Sequence, residues 1–113
     1  MDIDNLTIRQ AREISQLFGA PAAGEVPHAY PVGSSVFVRS VTHHYTGRLV
    51  RVTDGELVLT DAAWIADDGR FADALKTGVL NEVEPYPDGE IIVARSAICD
   101  VSLWAHDLPR EQK

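Results

Sequence analysis

The amino-acid sequence predicts a mainly β domain with an N-terminal helix, its β part a small, strongly bent five-stranded barrel with a short helical insertion between strands 3 and 4. Three observations predict this. Asp54-Gly55 lies between two runs rich in leucine and valine, the strongest short-range hairpin signal in the chain. About five short apolar segments, separated by turn residues, follow one amphipathic segment. Gly47 interrupts the strand ahead of the hairpin, where a small barrel needs a sharp bend.

The first element is a helix over 4–19. Thr7 and Gln10 stand at capping-box spacing, and Leu6 can staple onto Ala11. Ile8, Ala11, Ile14, Leu17 and Phe18 make one apolar stripe, and Gly19 is a natural left-handed stop. Residues 20–34 hold three prolines and two glycines and read as an ordered, irregular connector. The barrel is expected over 35–66 and 90–104. In "SSVFVRSV", Phe37, Arg39 and Val41 point to one side and Val36 and Val38 to the other. A type I′ turn at Asp54-Gly55 pairs Leu49–Val52 with Leu57–Thr60, and by alternation Arg48 and Arg51 face opposite sides.

The insertion over 67–89 contains a short helix with Phe71, Ala74 and Leu75 on one face, ended by Gly78, and then the acidic, proline-containing loop "NEVEPYPDG". Asp67 or Asp68 reads as the helix cap. Strand-forming residues resume at Ile91–Val93 and at Ile98, Val101 and Leu103, and a polar tail over 105–113 is expected to fray. The whole of 1–113 reads as a single domain.

The totals narrow the function classes. Hydrophobic residues make up 45% of the chain, a globular composition. The formal charge of −7, from 17 acids against 10 bases, disfavours nucleic acid and anionic membranes as partners. No apolar run is long enough to span a bilayer, no leader pattern opens the chain, and Cys99 has no cysteine to pair with, so a cytoplasmic location is expected.

The bent strand, the hairpin and the last strands resemble the Sm/Lsm family, which includes the bacterial Hfq-type proteins. "YTGRLVRVTDGELVLTDA" supplies Gly47, Leu49, Val52, Asp54, Leu57, Leu59 and Asp61 in the order of the first Sm motif. "IIVARSAICDV" supplies Ile91–Val93, Arg95-Ser96 and Ile98–Val101 for the second. The resemblance covers 36–66 and 90–104 and implies an Sm-like β-barrel that closes into a homo-oligomeric ring. There are departures. Only Gly55-Glu56 separates Asp54 from Leu57, where RNA-binding members carry an asparagine that holds a base, and Ser96 replaces a glycine. The family's RNA site therefore does not carry over, and Arg95 alone stays as an anion-binding candidate. The physical case for assembly is separate: "EIIVARSAI" is an apolar edge that invites pairing, and cyclic closure satisfies such edges. Ile91, Val93 and Trp104 are the interface candidates.

His43 and His44 are the ligand or pore candidates. Adjacent strand residues face opposite ways, so the pair cannot easily share one metal. The plain alternative is a polar strand ahead of the bend. Asp61, Asp67, Asp68, Asp73, Glu82 and Glu84 cluster around the insertion without a calcium-loop pattern. Cys99 reads as a buried, inert thiol, and no phosphate-binding glycine loop is present. No catalytic residue, metal ligand or cofactor is assigned. The expected function is a non-enzymatic homo-oligomeric ring acting as a structural scaffold or interaction module, with itself and another protein as partners. An RNA- or nucleotide-binding ring is the alternative, and a metal-dependent enzyme built on the histidines and aspartates is the third reading.

Overall fold

The computed structural model describes residues 28–113. The helix expected over 4–19, and the connector as far as residue 27, lie outside the described residues. Six strands form one antiparallel sheet: β1 Ser35–Ser40, β2 His44–Val52, β3 Glu56–Asp67, β4 Glu82–Pro85, β5 Ile91–Ala94 and β6 Ile98–Leu103. The single α-helix among the described residues, α1 Phe71–Thr77, lies between β3 and β4. The order across the sheet is β4-β3-β2-β1-β6, and β5 pairs with the first part of β3.

This corrects the five-stranded barrel. The sheet is open and has six strands. The extra strand comes from the insertion: Glu82, Val83 and Glu84 alternate exposed, buried, exposed, and Pro85 ends the strand where a lost N–H costs little. Closure fails because β5 sits on the edge of β3 and β6 on the edge of β1, and the two are joined only by the 3-10 turn Arg95–Ala97. Among the described residues no ladder links β5 to β6.

The β2–β3 hairpin forms where expected, with Val52 opposite Leu57, but its turn is not the mirror-image type. Neither Asp54 nor Gly55 has a positive φ. A tertiary contact sets the turn instead. The Arg95 guanidinium donates to the Thr53 and Asp54 carbonyls at 2.7 and 3.3 Å, and the Arg95 N–H donates to the Gly55 carbonyl at 2.9 Å. Further along, two bulges break the ladder. The first, at Val50, leaves Leu49 and Val52 in the same buried cluster and brings Arg48 and Arg51 out exposed on one face, not on opposite ones. The second sets Asp61 and Ala62 against Gly47, with Asp61 at φ 49. Gly47 is needed here for close approach: a Cβ would stand 3.1 Å from the Leu59 Cβ and 3.3 Å from the Ala62 Cβ.

Each face of the sheet carries a core. Val36, Val38, Leu49, Val52, Leu57, Leu59, Ala62 and Val93 bury one face. Phe37, Ala63, Ile65 and Val83 bury the other, under Ala74 of α1 and with Leu80, Trp104 and Leu108. The split of Phe37 from Val36 and Val38 follows the alternation in the sequence. Thr46 lies on the Phe37 face, fully buried, and its hydroxyl has no hydrogen-bond partner. Thr46→Val keeps the shape and removes the unsatisfied group, so it should raise unfolding stability by roughly 1 kcal/mol. A urea midpoint at or below the parent's would show that the hydroxyl is satisfied.

Two other expectations change. The tail does not fray: Lys113 and Val83 exchange backbone hydrogen bonds at 3.0 Å, Leu108 is buried, and Gln112 reaches Glu84 at 2.8 Å. Neither Asp67 nor Asp68 caps α1, whose N-cap position is Arg70 with no side-chain bond. Asp67 instead accepts the Gly69 N–H at 2.8 Å. Gly78 does end the helix, in the left-handed conformation, with its N–H on the Ala74 carbonyl.

Candidate functional site

The two histidines separate: His44 opens β2, whereas His43 is the last residue of the β1–β2 connection and not a strand residue as expected, its carbonyl and N–H both bonded to the Ser40 hydroxyl. β1 and β2 pair so that Arg39 stands opposite His44, and β6 places Asp100 opposite Arg39. Asp100, Arg39 and His44 therefore form one row across three strands. The Arg39 Nε donates to the Asp100 carboxylate at 2.9 and 3.2 Å, and its Nη2 closes the bidentate pair. The guanidinium also lies 3.7 Å from the centre of the Phe71 ring, which draws α1 to this row. The hydrogen bond with Asp100 holds the Arg39 pKa up, and the same bond holds the Asp100 carboxyl below its ordinary range. His44 continues the row: its Nδ1 is 3.3 Å from the mostly buried carboxylate of Asp68, and its ring meets Phe37 edge-on.

A histidine–carboxylate pair can serve as a base, but it needs a nucleophile or a substrate proton in reach. The nearby Ser40 hydroxyl is engaged, donating to the His43 carbonyl at 2.6 Å and accepting the His43 N–H at 2.9 Å. Cys99 is exposed on β6, not buried as expected, because the edge strand leaves its alternate residue to solvent. Among the described residues no three His, Cys, Asp or Glu side chains converge as metal ligands would. The row's evident work is to tie β6, β1, β2 and α1 together.

His43 faces the other way. Its ring lies 5.6 Å from Trp64 and 6.3 Å from Tyr45. Tyr45 stands opposite Trp64, and Trp64 stands opposite Glu84, so Tyr45, Trp64 and Glu84 form a second row across β2, β3 and β4. Tyr86 follows β4 and hydrogen-bonds through its N–H to the Ala62 carbonyl at 2.9 Å. Trp64 and Tyr86 are each 37% exposed, well above what rings of that size show in a core. Burial, and then the nearby Tyr86 phenol, push the Tyr45 pKa up, so its hydroxyl stays neutral. Beside Tyr86, Asp61 borders two clefts, one lined also by Pro85, Pro87 and Pro109, the other by Asp88 and Glu90. A non-glycine residue held at positive φ on a bulge, with its carboxylate at a cleft, re-aims a side chain in the way bulges at binding sites do.

No family model, no curated protein and no solved structure matches the chain.

The remaining sequence candidates lie elsewhere. Arg95 is spent on the β2–β3 turn, with Tyr30 stacked near its guanidinium at 5.2 Å. Val93 is buried in the first core cluster and Ile91 packs against it. Trp104 is buried in the second, and its indole N–H donates to the Asp107 carbonyl at 3.1 Å. The Tyr45–Trp64 pairing was not among the sequence-derived sites. A signal for it exists: equal steps outward from the turn along both strands lead to Tyr45 opposite Trp64, because the two bulges cancel. Among the described residues no helix is long and apolar enough to cross a membrane.

Proposed function

We propose that this chain is a non-enzymatic protein-interaction module that docks another protein on the face carrying Tyr45, Trp64 and Tyr86. The observation behind this reading is the three-strand row Tyr45–Trp64–Glu84, with large rings left partly in solvent on a rigid sheet. Exposed aromatics of this kind anchor protein interfaces, because they bring much contact area at little conformational cost. RNA or nucleotide binding would also use exposed rings, by stacking. Here Glu84 neighbours Trp64, and Asp61, Asp88 and Glu90 share a cleft with Tyr86. The nearby cations Arg110 and Arg51 are paired with Asp61 and Glu90, and the chain carries a charge of −7, so phosphate is disfavoured.

A second reading is self-association. β6 has β1 on one side, no strand on the other among the described residues, and Leu103 64% exposed. Edge pairing between copies is the form that the expected homo-oligomeric ring would take.

A displayed random-peptide library tests the first reading. Peptides selected on the full chain should lose binding to a folded Trp64→Ala, Tyr86→Ala variant. Selected peptides that bind the variant equally well would reject the aromatic face as the docking surface. Molar mass in solution tests the second, and a concentration-independent monomer would remove it.

A further inference from the structure

We propose that this face takes a basic segment of a partner protein, with arginine or lysine cations held between the rings of Trp64 and Tyr86 and the carboxylates of Glu84, Asp61 and Asp88. The proposal rests on the reading of the face as a docking surface and adds the chemistry of the partner. Charge complementarity carries it. Glu84 is the direct strand neighbour of Trp64, so a cation over the indole meets a carboxylate one residue away. Tyr86 lines a cleft of about 280 Å³ shared with Asp61, Asp88 and Glu90, a second pairing of one ring with carboxylates, of which Glu90 is held by Arg51 at 3.2 Å. The chain supplies an example of the contact. The guanidinium of its own Arg110 donates to Asp61 at 3.1 Å, at the cleft lined by Tyr86, Pro85 and Pro87. Both members of that pair are exposed, so the contact is weak and open to exchange with an incoming arginine. The bulge explains why an aspartate stands there: the left-handed backbone of Asp61, which aspartate and asparagine tolerate best, turns the carboxylate out beside the cleft.

The test measures binding of the full chain to labelled peptides of equal length: one arginine-rich, one glutamate-rich, one of glycine and serine. An oligothymidylate is the fourth probe, and each is run at low and moderate salt. The arginine-rich peptide should bind, more weakly at higher salt. Trp64→Ala should weaken it about tenfold, the loss of one desolvated cation–ring contact with its packing. Asp61→Asn combined with Glu84→Gln, which keeps the left-handed tolerance and the side-chain shapes, should weaken it by about tenfold again. Leu103→Ala, exposed on β6 at the opposite edge of the sheet, should leave it unchanged. Circular dichroism of each variant separates lost binding from lost folding, and the charge variant serves alone if the tryptophan variant unfolds. Arginine-peptide binding that ignores both variants is diffuse attraction to an acidic protein and overturns the proposal. Binding of the glutamate or glycine–serine peptide through Trp64 keeps the docking surface and overturns its cation chemistry. Oligothymidylate binding through Trp64 overturns both, and no binding by any probe overturns the basic-segment proposal.

Discussion

Replacing Phe37 with alanine is expected to cost about 3–5 kcal/mol of unfolding stability. The ring is fully buried and meets three others, with centroids at 5.4 Å for Phe71 and 5.7 Å for both Trp104 and His44. Those partners come from α1, from the segment after β6 and from β2. Four parts of the chain thus converge on one side chain of β1. A cavity at such a point cannot close by moving one neighbour, since each partner is tied elsewhere: Trp104 to Asp107, His44 to Asp68, and Phe71 to Arg39. The cost should therefore lie towards the upper end of the range for phenylalanine truncation. Domains of this kind have only about 5–15 kcal/mol to lose, so the variant should unfold at much lower urea. A loss below about 1 kcal/mol would mean that the ring is not the junction described. Phe37→Leu, which keeps most of the volume, should cost under about 1.5 kcal/mol.

Much of the sheet was legible because strand alternation is a local signal. Phe37 parts from Val36 and Val38 as the pattern says. The hairpin was legible because Asp-Gly between apolar runs leaves few alternatives. Its turn type was not, since Arg95, about forty positions away along the chain, engages three successive carbonyls of the turn. The strand count failed for a compositional reason. "NEVEPYPDG" has the prolines and acids of a loop, yet Val83 alternates with two exposed glutamates, which is enough for a short edge strand. The closed barrel failed because closure depends on whether β5 and β6 meet, and no residue pattern encodes the pairing of two edges that a three-residue turn holds apart.

The candidate surface was less legible than the fold. His43 was singled out, but as a possible ligand, and its neighbours Tyr45 and Trp64 decide its setting. Seeing the pair from sequence requires carrying the register through two bulges. One was hidden in Val50, an ordinary strand residue, and the other in Asp61, whose positive φ has no local signature. Each bulge alone would move Trp64 off Tyr45, and only their cancellation restores the simple count. Gly47 stands opposite the second bulge. The sequence reads it as a bend, whereas the structure uses it for clearance beneath Leu59 and Ala62. The tail was illegible for a similar reason: its polar composition is real, but its backbone completes the edge of β4, which composition does not report.

Gly78→Ala is the second large loss expected, about 2–4 kcal/mol. Two separate costs add. Gly78 ends α1 at φ 78, and an alanine held there meets the left-handed penalty of about 1–2 kcal/mol. Its Cβ would also stand 2.6 Å from Cγ of His106 and 3.0 Å from the His106 Cβ. These are the root of the ring, not its flexible end, so the imidazole would have to move as a whole. It is held on two sides, by the Leu75 carbonyl at 2.7 Å from Nε2 and by the Trp104 ring at 4.9 Å. Displacing it loosens the tail from α1 and disturbs Trp104, which itself packs on Phe37. A double-mutant cycle separates the two costs. In a His106→Gly background both contacts are gone, and Gly78→Ala should cost only the backbone penalty of about 1–2 kcal/mol. Equal losses in both backgrounds would show that His106 yields freely, and the tail would then be a passenger on α1 rather than part of its cap.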